Sequence, residues 1–193
     1  MRVILASGSP RRHQLLKHIV PEFEVIVSDI EEVLNSGIRD IGEQISELAE
    51  QKARAVANLH PASLVLGADT IVYLNGEILG KPKDSNDAIH ILQKLSNQWH
   101  QVITGVAVLS QENNQYSVYR DHAITRVKMR ELSNSELQTY VATGEPLDKA
   151  GAYAIQGGAQ DFVTEIDGSY ENIVGLPLEL TRSLLEKFYS QTN

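Results

Sequence analysis

The sequence predicts an α/β protein, a mixed β-sheet with flanking helices, and three observations support this class. Apolar runs typical of buried strands alternate with amphipathic helical patterns along most of the 193 residues. Asn75-Gly76 lies between two strand-like segments, which indicates a tight hairpin. Residues 100–110 and 117–132 are long strand-like segments around a polar turn, which predicts an antiparallel pair. Because intervening helices suit parallel neighbours and hairpins require antiparallel ones, we expect a mixed sheet.

The first half of the chain opens with an apolar run that predicts a buried strand, followed at once by a helix. Ser9 suits the N-cap of that helix and Pro10 its first position. In order, the predicted elements of this half are strand 2–7, helix 9–19, strand 23–30, an irregular acidic stretch 31–40, helix 41–59 and strand 63–74.

The second half continues the alternation with shorter elements. Ser133 and Glu136 have the spacing of a capping box, which predicts the start of a helix. The predicted elements are a capped helix within 81–96, the pair 100–110 and 117–132, helix 135–144, short strands and loops over 151–157, 161–170 and 172–177, and a last helix 178–190.

Composition and charge exclude several classes of protein. With 42% apolar and 22% charged residues, the chain 1–193 is expected to form a single domain with an adequate core. The absence of cysteine excludes disulfides, thiolate zinc sites and cysteine nucleophiles, and it suits the reducing cytoplasm, where we expect the protein to act. No run approaches the roughly 20 apolar residues of a membrane span, and the opening run is too short for a signal peptide. A net charge of -8 argues against binding a nucleic-acid polymer, so an anionic ligand requires a local basic cluster.

Two charged residues interrupt patterns that are otherwise apolar. Asp69 lies within LVLGADTIV, so its carboxylate is expected to be hydrogen-bonded, metal-bound or beside a cleft. The structural alternative is an aspartate that caps a turn at the strand end. Lys52 falls near the centre of the apolar stripe of helix 41–59, so its ammonium is expected to point inward, unless it snorkels to the edge of the stripe. The stripe consists of Ile45, Leu48, Ala49, Val56 and Leu59.

The segment between the first strand and the first helix has the features of an anion site. Residues 7–10, including Ser7, offer backbone N–H groups and two hydroxyls at a helix N-terminus. Arg11 and Arg12 add guanidinium groups suited to phosphate, and since the helix dipole disfavours cations there, the arrangement makes most sense with a bound anion. The alternative is an ordinary capped helix with solvated arginines.

Three further segments contain candidate site residues. Lys81 follows the predicted hairpin, which could return it towards the end of the strand that carries Asp69, although a solvated loop lysine fits as well. Glu31 and Glu32 lie in the acidic stretch as candidate magnesium ligands with Asp69, or as solvated loop residues. Gln156 lies in a glycine-rich segment, where close approach to a ligand and an ordinary turn both fit the pattern.

Several common catalytic motifs are absent from the sequence. It contains no GxxxxGK[ST], GxGxxG, GxSxG or HExxH, so nothing in it supports a P-loop enzyme, a Rossmann enzyme, an α/β-hydrolase or a zincin. The six histidines are scattered without convincing ligand spacing. The candidate residues that are left are carboxylates, two lysines and two arginines around the N-terminal turn. Carboxylates can hold magnesium and the cations can neutralise phosphate oxygens, which is what attack on a phosphoanhydride requires.

Seven segments follow one another along nearly the whole chain: LASGSPRRHQLL, AEQKARAVA, VLGADTIV, GKPKD, TGVAV, GEPLDKAGAYAIQG and IVGLPLE. In this order they resemble the Maf-like nucleotide pyrophosphatase family. The resemblance implies a mixed-sheet fold like that of inosine triphosphate pyrophosphatases, with two lobes around a central cleft, often as a homodimer. It also implies hydrolysis of a nucleoside triphosphate to the monophosphate and pyrophosphate with a divalent metal, Mg²⁺ or Mn²⁺.

Three positions resemble one branch of that family. The branch acting on dTTP and UTP carries arginine after Ser-Pro, threonine after the key aspartate and glutamine before the late glycine, and this chain has Arg11, Thr70 and Gln156 there. A sister branch directed at 7-methylguanosine triphosphate tends to carry tryptophan, glutamine and glutamate. The resemblance therefore favours pyrimidine triphosphates as substrates, with these three residues on the substrate side.

The remaining site residues follow from the same resemblance. It implies Asp69 as general base, with Ser7, Arg12, Lys52 and Lys81 on the phosphates. It implies Glu32 and Asp69 as metal ligands, although the loop carries no rigid motif that separates Glu32 from Glu31.

Two rival functions are compatible with parts of this pattern. A non-catalytic nucleotide-binding regulator of cell division, acting in septum formation, would use the same phosphate cradle, but binding alone does not explain a carboxylate inside an apolar strand. A triphosphatase that releases orthophosphate stepwise would differ in its products. The expected partner is a small nucleotide, with neither a nucleic-acid polymer nor a membrane.

Overall fold

In a computed structural model, the described residues are 1–34, 37, 40–112 and 115–191. The strands are β1 (Val3–Leu5), β2 (Glu24–Val25), β3 (Leu64–Leu74), β4 (Glu77–Leu79), β5 (Trp99–Glu112), β6 (Gln115–Met129) and β7 (Val163–Asp167). The helices are α1 (Pro10–Leu16), α2 (Ile41–Ala57), α3 (Ser85–Leu95), α4 (Asn134–Ala142), α5 (Tyr170–Val174) and α6 (Leu178–Gln191), with 3₁₀ turns at Glu145–Asp148, Ala150–Ala152 and Gln160–Phe162. Within these ranges, no helix combines the length and the apolar character needed to cross a bilayer.

The described strands form one mixed sheet with the order β2-β1-β3-β5-β6-β7, and β4 pairs with β3 outside this path. β1 runs parallel to both β2 and β3, whereas β4 is antiparallel to β3 and β7 is antiparallel to β6. Asn75 and Gly76, both with positive φ, make the predicted hairpin turn between β3 and β4. The two long strands β5 and β6 are neighbours as predicted, although 113 and 114 of the polar turn lie outside the described residues.

The chain divides into two compact units. The first comprises Met1–Asp69, Thr104–Ala123 and Gly175–Asn193. On one face of its strands an apolar cluster joins α1 and α6 to the sheet, with Leu16 and Phe188 fully buried. On the other face a second cluster joins α2 to the sheet through Ala53 and Val56. Alternate residues of β1 divide between these clusters, because successive side chains of a strand point to opposite faces.

The second unit comprises Thr70–Ile103 and Ile124–Val174. One cluster of buried residues joins α3 and α4 to the strands of this unit, with Leu92, Val127 and Leu137 among its members. The buried side-chain amide of Asn172 donates to the carbonyl of Val102 at 3.0 Å. The helix α4 begins at the predicted capping box, in which the side chains of its two members cap each other's backbone N–H groups.

Several predicted elements are shorter than expected. The strand predicted over 23–30 is only Glu24–Val25, because β1 beside it pairs at just two positions and Val25 and Val27 remain 44% and 63% exposed. The helix α2 ends at Ala57, so the prediction that Leu59 belongs to its buried stripe is wrong; Leu59 is 76% exposed. The sequence predicts short strands and loops over 151–157, 161–170 and 172–177. The first segment forms a 3₁₀ turn and a further turn, the second contains β7, and the helix α5 at Tyr170–Val174 was not predicted.

Candidate active site

Two glycines bring α2 unusually close to the sheet in the first unit. A Cβ on Gly67 of β3 would lie 2.1 Å from the carbonyl oxygen of Ala49, and one on Gly105 of β5 would lie 2.4 Å from the backbone of Ile45. Backbone therefore packs on backbone where side chains would otherwise separate the layers. Lys52 is nearly one helical turn beyond Ala49, on the same buried stripe. The close packing thus places Lys52 beside the middle of β3.

Asp69 lies on the face of β3 that meets α2, two residues beyond Gly67. The ammonium of Lys52 donates to Oδ1 of Asp69 at 2.5 Å. Both residues are buried, with 8% of each exposed, so the prediction that Lys52 points inward is confirmed. The carboxylate within the apolar run is paired with a cation, which offsets the cost of removing either charge from water.

Glu32 completes this group from the segment before α2. Its Oε1 accepts from the ammonium of Lys52 at 2.7 Å, and its side chain is 59% exposed. Lys52 therefore bridges a buried carboxylate and a more accessible one. The sequence left open whether Glu31 or Glu32 belongs to the site, and Glu32 is the one that forms an ion pair with Lys52.

The start of α1 holds a guanidinium in a fixed position. Ser9 is the N-cap of α1, and its hydroxyl accepts from the backbone N–H of Arg12. The side chain of Arg12 donates from Nε to the carbonyl of Gly175 at 2.8 Å and from a terminal nitrogen to Oγ of Ser7 at 3.1 Å. Ser7 is itself 7% exposed. Two bonds at different nitrogens orient the guanidinium plane, so Arg12 is prepositioned rather than freely solvated.

The electrostatics connect Arg12 with the acidic residues. Burial lowers the pKa of Arg12, while the carboxylates of Asp69 and Glu32 act in the opposite direction and raise it. Arg11 adds a smaller lowering effect on that pKa through like-charge repulsion. The first unit therefore gathers two carboxylates, an ammonium and an oriented guanidinium, with the two serines of the turn beside them. Lys52 and Asp69 are in contact, and the turn is connected with them through the electrostatic effect of Asp69 on Arg12.

The family resemblance implies a divalent metal, and the carboxylates of the site are its candidate ligands. Within the described ranges no group of three or more histidine, aspartate or glutamate side chains could hold a metal ion. Asp69 and Glu32 nevertheless both contact the ammonium of Lys52, so their carboxylate oxygens lie close together. Magnesium is commonly bound by one or two carboxylates, with waters and substrate phosphates completing its coordination. The residues present fit a metal held jointly with a phosphorylated substrate.

The other predicted residues fall on different elements. Arg11 is half-buried in the first turn of α1. Thr70 is the first residue of the second unit, in β3. Lys81 is exposed between β4 and α3, and Gln156 is exposed in a turn after the 3₁₀ segment, both in the second unit.

Sequence reasoning missed the residues that hold this site in place. The carbonyl of Gly175, which orients Arg12, carries no signal because any residue has a backbone oxygen. Gly67 did carry one, because an isolated glycine inside a strand pattern indicates close approach of another backbone.

Comparison with known proteins identifies the same family as the seven sequence segments. The family of Maf-like proteins matches residues 2–188. The chain belongs to the Maf-like protein family. This Maf-like chain is 47% identical over 186 residues to a dTTP/UTP pyrophosphatase of Dictyoglomus turgidum, covering 96% of this chain and 95% of the relative. It is also 47% identical over 178 residues to a dTTP/UTP pyrophosphatase of Aquifex aeolicus, covering 92% and 90% of the two chains.

A solved structure supports the fold of this Maf-like chain. The Ham1 protein of Staphylococcus aureus has a TM-score of 0.52 to it at 17% identity, covering 97% of this chain and 99% of that one. At this identity the likeness shows the fold alone. Together with the observed sheet, it confirms the predicted α/β class with a mixed sheet and flanking helices.

Proposed function

We propose that this protein hydrolyses dTTP and UTP to the monophosphate and pyrophosphate, as a housekeeping enzyme of the nucleotide pool. The observation that carries the proposal is the buried contact of Lys52 with Asp69, joined by Glu32 and flanked by the oriented Arg12. The substrates come from the names of the relatives from Dictyoglomus turgidum and Aquifex aeolicus, which the chain matches over more than nine-tenths of its length.

In the reaction we propose, Asp69 orients a water molecule and accepts its proton. The water oxygen forms a bond to the α-phosphorus while the bond from that phosphorus to the bridging oxygen breaks, and the electron pair leaves with pyrophosphate. Lys52 and Arg12 stabilise the charge that grows on the phosphate oxygens. Lys52 also keeps the carboxylate of Asp69 aligned through their 2.5 Å contact.

Asp69 and Glu32 are the residues that we propose hold the divalent metal, Mg²⁺ or Mn²⁺. When bound, such an ion neutralises phosphate oxygens and orients the triphosphate. Removal of divalent ions with a chelator is therefore expected to abolish turnover, and added Mg²⁺ or Mn²⁺ is expected to restore it. Full activity in the presence of chelator would contradict this assignment.

The remaining assignments rest on the family resemblance. We propose that Lys81 acts with the phosphate-binding residues and that Ser7 serves them through its contact with Arg12. We propose that Arg11, Thr70 and Gln156 contribute to binding the nucleotide. A homodimer is proposed on the same basis, and light scattering on the purified protein tests it by its mass. A cytoplasmic location is proposed from the absence of cysteine, which suits a reducing compartment.

The test of the proposed function is a product analysis. Purified protein is incubated with dTTP, UTP and other triphosphates plus Mg²⁺, and monophosphate, pyrophosphate and orthophosphate are separated. We expect equal amounts of monophosphate and pyrophosphate, with dTTP and UTP turned over fastest. Release of orthophosphate with accumulation of diphosphate would indicate the stepwise triphosphatase. Nucleotide binding with no product would indicate the non-catalytic regulator.

A further inference from the structure

A carboxylate in the second unit binds the backbone of the turn that carries Gln156. The N–H of Gly158 donates to both oxygens of Glu145, at 3.2 and 3.1 Å. Glu145 is half-buried and follows the positive-φ Gly144 at the end of α4. A carboxylate that accepts a backbone N–H forms one of the stronger hydrogen bonds in proteins. The turn is therefore held on its C-terminal side by a side chain 13 residues earlier in the chain.

Tyr140 holds the same turn on its N-terminal side. Its hydroxyl donates to Oε1 of Glu145 at 2.9 Å and accepts from the backbone N–H of Ala154 at 3.3 Å. The residue is 4% exposed, and its ring packs edge-to-face on Phe162 with 5.3 Å between centroids. Burial first, and the carboxylate of Glu145 second, raise the pKa of Tyr140, so the hydroxyl stays protonated as a donor.

The packing around Glu145 and Tyr140 restricts a Cβ at both glycines of the turn. A Cβ on Gly157 would lie 2.0 Å from Oε1 of Glu145, and one on Gly158 would lie 3.2 Å from the ring of Tyr140. The two glycines therefore let the turn sit directly on the carboxylate and the phenol ring. Gln156, immediately before them, is exposed while the backbone on either side of it is held.

We propose that Glu145 and Tyr140 are positioning residues that hold the Gln156 turn in one conformation and thereby set the choice between nucleobases. The proposal deepens the proposed function and rests on it, because it takes Gln156 as a residue that contacts the nucleotide. A glutamine amide has two donors and an acceptor, which match the N3–H and carbonyl edge of uracil or thymine. That match discriminates only if the amide is presented in a defined orientation, since a freely moving amide also pairs with the edge of cytosine.

The first test measures the turn itself, without nucleotide. Amide hydrogen exchange is followed by NMR in the full chain carrying Glu145→Ala, Glu145→Gln or Tyr140→Phe. We expect exchange at Gly158 to be at least about tenfold faster in Glu145→Ala, because its acceptor is removed. Glu145→Gln retains one carbonyl oxygen and is expected to restore most of the protection. In Tyr140→Phe, Ala154 is expected to show the corresponding acceleration.

The second test measures discrimination. The ratio of kcat/KM for UTP to kcat/KM for CTP is determined for the same variants and for Gln156→Ala. We expect the ratio to fall at least about tenfold in Gln156→Ala and in Glu145→Ala, through a higher KM for UTP with kcat changed little. Glu145→Gln should recover most of the ratio. A variant that only destabilises the fold would lower kcat/KM for UTP and for CTP by the same factor and leave the ratio unchanged.

Matched controls use exposed residues of the same types. Glu131→Gln makes the same change in charge as Glu145→Gln, and Tyr189→Phe removes a hydroxyl that lies on a 44% exposed residue of α6. Both controls are expected to match the wild type in exchange at Gly158 and in the UTP to CTP ratio.

The outcomes separate this proposal from the proposed function. If the wild type hydrolyses no triphosphate, the proposed function fails, and the discrimination role of Glu145 and Tyr140 falls with it even where exchange shows that they hold the turn. If Gln156→Ala changes the ratio but the Glu145 and Tyr140 variants do not, the positioning role is overturned while the proposed function stands. Unchanged exchange at Gly158 in Glu145→Ala also overturns it. Tyr140→Phe preserves the ring and removes only the hydroxyl, so it tests the proposal even if Glu145→Ala does not fold.

Discussion

Substituting Gly67 by alanine tests whether the close approach of α2 to β3 builds the site. The added methyl group would lie 2.1 Å from the carbonyl oxygen of Ala49, whereas ordinary contacts begin near 3.4 Å. The obstacle is backbone, which cannot rotate away, so α2 must move from the sheet by about 1 Å. Overpacking of a core costs about 1–3 kcal/mol, and a backbone clash of this size belongs at the upper end of that range.

The same movement separates Lys52 from Asp69, because Lys52 lies on α2 and Asp69 on β3. A misplacement of about 1 Å in a catalytic group can cost about 10²-fold in rate, so we expect kcat to fall by that order in protein that is still folded. Urea denaturation reports the free energy of unfolding, and pyrophosphate release from dTTP reports kcat.

Gly80→Ala is the matched control for this substitution. A Cβ on Gly80 meets nothing within 4 Å, and its backbone is outside the left-handed region. The same change should therefore leave kcat unaltered and raise stability slightly, by roughly 0.4–1 kcal/mol, through the unfolded state. If Gly67→Ala matches Gly80→Ala in both measurements, the argument that glycine sets the position of Lys52 is refuted.

Three further predictions concern individual charged groups. Asp69→Asn keeps the shape of the side chain but removes the base, so kcat should fall by at least about 10²-fold in the pyrophosphate assay, and near-normal turnover would disprove the role. Lys52→Ala leaves the buried Asp69 without its ammonium and should cost about 3–5 kcal/mol in urea denaturation, whereas the double variant Lys52→Met with Asp69→Leu should cost less; equal costs would argue against the pair. Burial lowers the pKa of His100 from 6.5 to about 4. Between these two pH values the imidazole is therefore protonated in the unfolded chain and neutral in the folded protein. The contribution of His100 to the free energy of unfolding should therefore be constant above pH 6.5, and that free energy should fall by about 3 kcal/mol towards pH 4. In His100→Gln this fall should be absent from denaturation curves measured at the two pH values.

The proposed function and the positioning role use different parts of the chain. The reaction rests on charged groups gathered in the first unit, whereas the positioning role rests on Glu145 and Tyr140 in the second. Substitutions at Asp69 and at Glu145 should therefore affect different quantities, the first kcat and the second the preference between UTP and CTP. The positioning role can therefore fail in these assays while the proposed function stands.

The sequence by itself determined the class of fold, the capped helix starts, the hairpin at Asn75-Gly76 and the inward direction of Lys52. These features depend on the period of apolar residues and on local backbone chemistry, which act over a few neighbours in the chain. It also marked Asp69 as unusual, because a carboxylate in an apolar run requires a partner.

Only the tertiary structure decided which partner each of these groups has. Lys52 meets Asp69 because two glycines let α2 approach the sheet, and Arg12 is oriented by the carbonyl of Gly175, 163 residues away. It likewise decided that β2 is a two-residue strand and that Glu145 holds the turn after Gln156. Contacts of this kind depend on backbone atoms that every residue possesses and on distances between elements remote in sequence, so no local pattern records them.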